Sequence, residues 1–386
     1  MVCFTDKIAQ EIPPVLRGLS FDGVKGLFVH SVDGKQPELV LRGVNIGDDI
    51  EEVAKTWQEQ FNGFCKKKNL YPSVIAVEGL PTLYGLGTNY DEAVRSEGVS
   101  SIYSLPPSEN RNDVVRDKIA LVTGGAQGFG EGMVRTLSEL GAFVYIADMN
   151  LEGAKKLADQ LNYEACITVA KALYVNVTDE ASVEAMLSEV VRETGGLDLF
   201  ISNAGVLRAG SVKTMALKDF QFVTSVDYTG FFLCTKHASQ MLALQNIPSQ
   251  AYYTDLIAIS SKSGLEGSNK NGAYAGAKFG TIGLTQSFAL ELVTDNIKVN
   301  AICPGNFLDG PLWSDPEKGL FVQYLHAGKV KGAKDLNDVR RFYESKVPMN
   351  RGCRTEDVMR AICYIVEQKY ETGQAVPVTG GQVMLN

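Results

Sequence analysis

The sequence predicts an α/β protein, a doubly wound parallel sheet with helices on both faces, preceded by a small α+β domain. Three observations lead there. From about residue 117 onward, short β-branched apolar runs alternate with longer stretches of helical periodicity. Such alternation sets strands side by side in parallel, with crossover helices above and below. A glycine cluster, "TGGAQGFG" (Thr123–Gly130), lies between the first such strand and the first such helix. The preceding residues lack the alternation and carry short strands around one long polar helix.

Taken in order, "GVKGLFVHS" and "ELVLRG" read as strands paired through "VDGKQP". "DDIEEVAKTWQEQFNGFCKKK" reads as a helix with Asp49 as its N-cap, and "SVIAVEGL" as a further strand. "SLPPSENRND" (Ser104–Asp113) is polar and carries two prolines, so the boundary falls there, between a domain of residues 1–112 and one of residues 113–386. Beyond it, "KIALVTGG" is a strand and "GEGMVRTLSELG" a helix; "FVYIADM" is a strand and "LEGAKKLADQLN" a helix. "ALYVNV", "LDLFISNAG", "DLIAISS" and "IKVNAICPG" continue the strand series. A long mixed segment at about 306–346 separates the last of these from a final strand. Its Trp313, Phe321 and Tyr324 read as the core of a small lobe.

Composition narrows the function. The chain has 386 residues, 45% apolar and 21% charged, which suits a globular core of two domains. A net charge of −8 disfavours a general nucleic-acid binder. No uncharged apolar run is long enough to span a membrane, and no signal peptide is evident at the N-terminus. Seven scattered cysteines without a C-x-x-C pair read as reduced thiols, which points to the cytoplasm. His30, His237 and His326 are too widely spaced for a metal site.

The glycine cluster reads as a phosphate cradle. Gly124 turns tightly, Gly128 lets backbone approach a pyrophosphate, and Gly130 lets helix and strand pack closely. The helix N-terminus then offers free N–H groups to phosphate. Asp148 ends the second strand, twenty-four residues after Gly124. A carboxylate there binds ribose hydroxyls and repels a 2′-phosphate. No Arg or Lys in the adjoining turns offsets that repulsion, so NAD is expected over NADP.

Tyr274 and Lys278 are four residues apart in "YAGAK", on one face if the segment is helical. Alcohol oxidation needs a base for the hydroxyl proton while hydride leaves for a nicotinamide. A free phenol titrates at about 10, and a neighbouring ammonium favours phenolate. Ser261 ends the preceding strand and is placed to hydrogen-bond a substrate oxygen.

With these pieces in hand, residues from about 117 to 386 resemble the short-chain dehydrogenase/reductase family. The matching stretches are "TGGAQGFG", "SNAG", Ser261, "YAGAK", "CPG" and "TGQAVPVTGG". More narrowly, "SKSGLEGSNKNGAYAGAKFGTIGLTQSFAL", "PGNFLDGPLW", "KVPMNRGC" and "TGQAVPVTGGQVM" resemble the sorbitol-6-phosphate 2-dehydrogenases. The resemblance implies a Rossmann-type fold and NAD-dependent interconversion of D-sorbitol 6-phosphate and D-fructose 6-phosphate. It implies Tyr274 as general acid/base, Lys278 on the nicotinamide ribose, and Ser261 on the reacting oxygen. Cofactor contacts would come from Gly124, Gln127, Gly128, Phe129, Gly130 and Asp148. Asn176, Val177, Asn203, Ala204, Gly205, Pro304 and Gly305 would supply the others. It further implies that the 306–346 lobe covers substrate and that copies associate as a dimer or tetramer.

Three positions depart from the family pattern. Asp227 stands where an Asn usually joins the proton relay, Asn176 replaces an acid, and Asp309 replaces a Thr near the carboxamide. Asp227 is still counted with the catalytic residues, since it can accept from Lys278. Lys262, Asn269 and Lys270 lie within the reactive stretch beside Ser261, and Arg351 comes from a later turn; all are counted with the substrate residues, and Lys262 with at least one of Lys270 or Arg351 is expected to bind the substrate phosphate. The N-terminal domain resembles the end of class II aldolase-like domains, but its one histidine, His30, implies no aldolase chemistry. Assembly, or covering of the active site, is its expected role. A dehydrogenase of another polyol or sugar, or an NAD-binding regulator with weakened turnover, stays open as an alternative.

Overall fold

The computed structural model describes residues 3–96, 113–317, 319–326, 328 and 330–384, so most of the expected boundary segment lies outside the described residues. The N-terminal part contains α1 (Ile8–Leu19), β1 (Phe28–Val32), β2 (Leu39–Leu41) and α2 (Ile50–Lys68). It continues with β3 (Val74–Val77), β4 (Leu83–Gly87) and α3 (Tyr90–Arg95). α2 starts where expected, because the Asp49 carboxylate accepts from the Glu51 and Glu52 backbone N–H groups. Acids in its first turn and Lys66–Lys68 in its last suit the helix dipole. Ile50, Ala54, Trp57, Phe61 and Cys65 recur at helical spacing and form its buried face.

The expected hairpin between β1 and β2 does not form. The sheet order is β1-β4-β3-β2, with β4 antiparallel to both neighbours. β4 is the strand the sequence hid, since Gly85 and Gly87 weaken strand character. Both are needed because α3 lies directly on them: a Cβ at either would sit 2.3 Å from the Ala93 backbone. α1 was hidden too, by Pro13 and Pro14 inside it. Each interior proline costs a helix about 3 kcal/mol, and burial of Ile12, Val15, Leu16 and Leu19 opposes that cost.

The second part runs β5 (Ile119–Thr123), α4 (Gly128–Glu139), β6 (Phe143–Asp148), α5 (Leu151–Ala165), β7 (Ala170–Tyr174) and α6 (Glu180–Thr194). There follow β8 (Leu199–Ser202), α7 (Leu217–Thr224), α8 (Gly230–Asn246), β9 (Thr254–Ile259), α9 (Gly272–Leu292) and β10 (Ile297–Pro304). Three helices, α10 (Pro311–Ser314), α11 (Leu320–His326) and α12 (Leu336–Glu344), then precede α13 (Thr355–Glu367) and β11 (Ala375–Val378). The strands pair in parallel in the order β11-β10-β9-β8-β5-β6-β7, a Rossmann-type sheet. Alternation along β5 and β6 divides the core. Leu121 and Tyr145 face α6, α8 and α9, whereas Val122 and Ile146 face α4, α5 and α13. The order reverses between β5 and β8, which opens a crevice at the C-terminal strand ends.

The N-terminal part sits at the opposite end of that sheet. Arg17 is fully buried and pairs at 2.8 Å with Asp198, the residue before β8. Asp198 also accepts from the Ile119 N–H at the start of β5 and from the Tyr252 hydroxyl before β9. Phe28 meets Phe143, the first residue of β6, edge-on at 5.5 Å. Phe28 and Ala93 thus belong to the same core as α6 and α8. His30 is a packing residue here, edge-on to Tyr90 with Nδ1 3.1 Å from the Glu193 carbonyl. The contacts correct the expectation of a cover, because the layer closes the end away from the crevice. Among the described residues, no helix is long and apolar enough to cross a membrane.

Candidate active site

The crevice begins with the turn between β5 and α4. Gly124 and Gly128 have φ of 63° and 61°, a region that favours glycine. A Cβ on Gly130 would lie 2.0 Å from the Gly124 carbonyl, so helix and strand touch there. A Cβ on Gly128 would meet nothing closer than Pro311 at 4.0 Å, leaving that face of the turn open. The Asp148 carboxylate, at the end of β6, accepts from the Ala126 N–H at 3.0 Å and the Asn150 N–H at 2.8 Å. It therefore shapes the turn and also lies beside it. Asn203 ties β8 to the turn by donating to the Thr123 and Gly124 carbonyls. Thr123 Oγ1 accepts from the Asn203 and Ala204 N–H groups. Asn176 closes a small turn with Thr178, and Val177 packs under Gly230. The Gly305 N–H donates to the Val378 carbonyl, and Phe129 stacks on Phe307 at 4.1 Å. An open glycine face at a helix start, with a carboxylate on the next strand, fits a dinucleotide.

Lys278 is the centre of the reactive part. It lies on α9, is 5% exposed, and donates to the Ile259 carbonyl at 2.9 Å. Its Nζ is 5.6 Å from the centroid of the half-buried Tyr274 ring one turn earlier. Ser261 follows β9 and caps a short 3-10 turn, with its Oγ accepting from the Ser263 N–H at 3.1 Å. The neighbouring Ser260 hydroxyl donates to the Lys278 carbonyl, which fixes α9 against β9.

Asp227 joins this group from a π turn, Ser225–Thr229, between α7 and α8. Its Oδ1 accepts from the Val206 N–H at 2.7 Å, and its Oδ2 lies 3.6 Å from Lys278 Nζ. That Oδ2 is buried and makes no hydrogen bond. Burial, the larger influence, pushes the Asp227 carboxyl above its ordinary value, against the pull of Lys278. For Lys278 burial acts downward and is the largest single influence. The negative charges of its neighbours, Asp227 first and then Tyr274, act upward and leave the ammonium raised. Burial also pushes the Cys303 thiol on β10 up to about 11, so it adds no charge.

The expected phosphate ligands do not all gather. Lys262 is half-buried beside Ser261, and Asn269 and Lys270 are exposed on the loop before α9. None of the two lysines has a carboxylate partner among the described residues. Arg351 is different. Both its terminal nitrogens are engaged by the Asp357 carboxylate six residues on, and one also donates to the Gly352 carbonyl. Asp309 pairs with Arg340 across the lobe. Trp313, Phe321 and Tyr324 pack with one another and with Tyr343, so they form the lobe's core. One cation escaped the sequence reading. Arg208 is exposed on the loop after β8, and the signal was its place three residues beyond "SNAG". No cluster able to hold a metal ion occurs among the described residues.

Comparison with known proteins places the family and the fold. The model of the short chain dehydrogenase family matches residues 118–315. Sorbitol-6-phosphate 2-dehydrogenase of Escherichia coli K12 is 34% identical over 270 residues, covering 69% of this chain and 99% of that protein. The crystal structure of sorbitol-6-phosphate 2-dehydrogenase from Erwinia amylovora superposes with a TM-score of 0.63 at 35% identity, covering 69% of this chain and all of the other. An actinorhodin polyketide ketoreductase variant solved with NADPH gives a TM-score of 0.60 at 26% identity, covering 69% and 97%.

Proposed function

The chain belongs to the short-chain dehydrogenase family, and from that premise we propose that it interconverts a polyol phosphate and a ketose phosphate with NAD. D-sorbitol 6-phosphate and D-fructose 6-phosphate are the pair favoured by the similarity to sorbitol-6-phosphate 2-dehydrogenases. The observation that carries the reading is the arrangement at Lys278, with the Ile259 carbonyl at 2.9 Å, Asp227 at 3.6 Å and the Tyr274 ring centroid at 5.6 Å. A buried ammonium held beside a phenol at a strand end suits removal of a hydroxyl proton.

When bound, NAD supplies the hydride acceptor. The chain's own residues do the rest. Tyr274 takes the proton of the substrate hydroxyl, Ser261 donates to the same oxygen, and Lys278 holds the nicotinamide ribose. Asp148 selects a free ribose 2′-hydroxyl over a phosphate, since no cation of the turn stands against its charge. Lys262 and Lys270 attract the substrate phosphate; Arg351, committed to Asp357, does not. The lobe of residues 306–346 closes over substrate, and the protein works in the cytoplasm as a homo-oligomer, a dimer or tetramer.

The test is NAD reduction, followed by nicotinamide absorbance, over a panel of polyols with and without phosphate. D-sorbitol 6-phosphate should give the highest kcat/KM, and Tyr274→Phe should lower it by at least about 10²-fold. Bound NAD without turnover on any polyol would leave the regulator reading in its place. A higher kcat/KM on unphosphorylated polyols would move the substrate class.

A further inference from the structure

Within that reading, on which it rests, we propose that Arg208 docks the phosphate end of the substrate, opposite Lys270 on the rim of the crevice.

The placement follows from the backbone. A Cβ on Gly205 would lie 3.5 Å from both Asp227 Oδ2 and Lys278 Nζ, so this loop starts at the reacting centre. Val206 is then anchored by its N–H to Asp227. Three residues of chain span at most roughly 10 Å, so the Arg208 backbone lies no further than about that from Gly205, within reach of a bound sugar phosphate. β8 and β9 are hydrogen-bonded neighbours in register to Ser202 and Ala258, which sets the loops that follow them side by side. The two loops are joined further out, where the Gly210 N–H donates to the Lys270 carbonyl at 2.8 Å and Gly210 bridges Asn271. Arg208 and Lys270 therefore belong to one rim. Lys270 itself has φ of 57°, fixed by that junction.

The chemistry fits an anion. The Arg208 guanidinium lies 5.2 Å from the Phe222 ring centroid and donates one bond, to the carbonyl of Leu207. Among the described residues it has no carboxylate partner, in a chain of net charge −8. Stacking on an aromatic face holds the plane of a guanidinium while leaving its edge donors free. Two parallel donors on one edge match two phosphate oxygens. The loop from Leu265 to Asn271 carries one acid, Glu266, and one base, Lys270, so Arg208, on a facing loop with no acid between Asn203 and Gly210, gives the rim its net positive charge.

The experiment compares kcat/KM for D-sorbitol 6-phosphate and D-sorbitol in the full chain with NAD. Arg208→Gln should cut the preference for the phosphorylated substrate by at least about tenfold, mainly through KM, and Arg208→Lys should restore part of it. Isothermal calorimetry with D-fructose 6-phosphate and NAD supplies a readout free of turnover. If the native protein prefers phosphorylated substrate and Arg208→Gln keeps that preference, Arg208 is not the docking residue while the proposed function stands. If the native protein shows no preference and binds no sugar phosphate, both fall together. Equal loss on the two polyols overturns the docking role as well, since that is the mark of a structural change.

Discussion

Replacement of Arg17 by Met puts the junction between the N-terminal layer and the sheet to a direct test. Arg17 and Asp198 each have a fully inaccessible side chain, and their pair is 2.8 Å long. The other terminal Arg17 nitrogen donates to the carbonyls of Gly26 and Leu27 at 3.0 and 2.7 Å. Met fills most of the volume but leaves Asp198 charged, buried and without its cation. Breaking a buried pair from one side costs about 3–5 kcal/mol, a large part of the roughly 5–15 kcal/mol that holds a protein folded. With a urea slope of about 3 kcal/mol per M, the midpoint should fall by roughly 1 M. Arg17→Met combined with Asp198→Asn removes both charges and should recover part of that loss. The pH dependence has a definite sign. Burial, the largest single influence, acts to raise the Asp198 carboxyl, but the charges of Arg17 and then Lys118, with hydrogen bonds from the Tyr252 hydroxyl and the Ile119 N–H, together outweigh it and hold the group below the usual aspartate range. Its contribution is therefore fully present above the unfolded aspartate value of about 3.9 and is lost as pH falls through the lower folded value. Arg17→Met should flatten that acid limb. Urea titrations by circular dichroism at neutral and acid pH measure both effects. A midpoint within about 0.3 M of the native one, some 1 kcal/mol, would refute the argument that the clamp is needed.

Two further expectations concern the crevice. Asp227→Asn removes the charge that keeps Lys278 protonated against burial; a raised lysine holds its ammonium below the folded value and loses it as pH rises through that value. The alkaline flank of kcat should therefore move to lower pH in the variant, and an unmoved flank would exclude electrostatic coupling of the pair. Asp148→Ala should raise the kcat/KM ratio of NADP to NAD by about tenfold or more, read from initial rates with each cofactor. A ratio that stays put would mean the preference is set elsewhere.

Much of the candidate site was legible because its signals are local. A strand, a glycine turn and a helix follow one another within Ile119–Glu139, so residue spacing alone locates the cradle. Tyr274 and Lys278 needed only the helical repeat to be set on one face. What was hidden depended on contacts distant in sequence. Gly85 and Gly87 look like breaks until α3 is laid on them, and Pro13 and Pro14 look like a helix stop until the buried side of α1 is counted. The pairing of β1 with β4, not with β2, is a choice between chain segments that spacing cannot make. Arg351 looked free in sequence because nothing marks Asp357, six residues on, as the group that holds it. Arg208 looks ordinary in sequence because the role proposed for it depends on the backbone junction at Gly210.

The buried clamp beneath β5, β8 and β9 separates two kinds of selection along one chain. A strand of five or six residues spans about 17–20 Å, and that distance lies between the layer built by residues 3–96 and the mouth where chemistry is proposed. Drift in the early residues is then filtered by whether the chain folds at all, while drift in the rim loops is filtered by what the enzyme turns over.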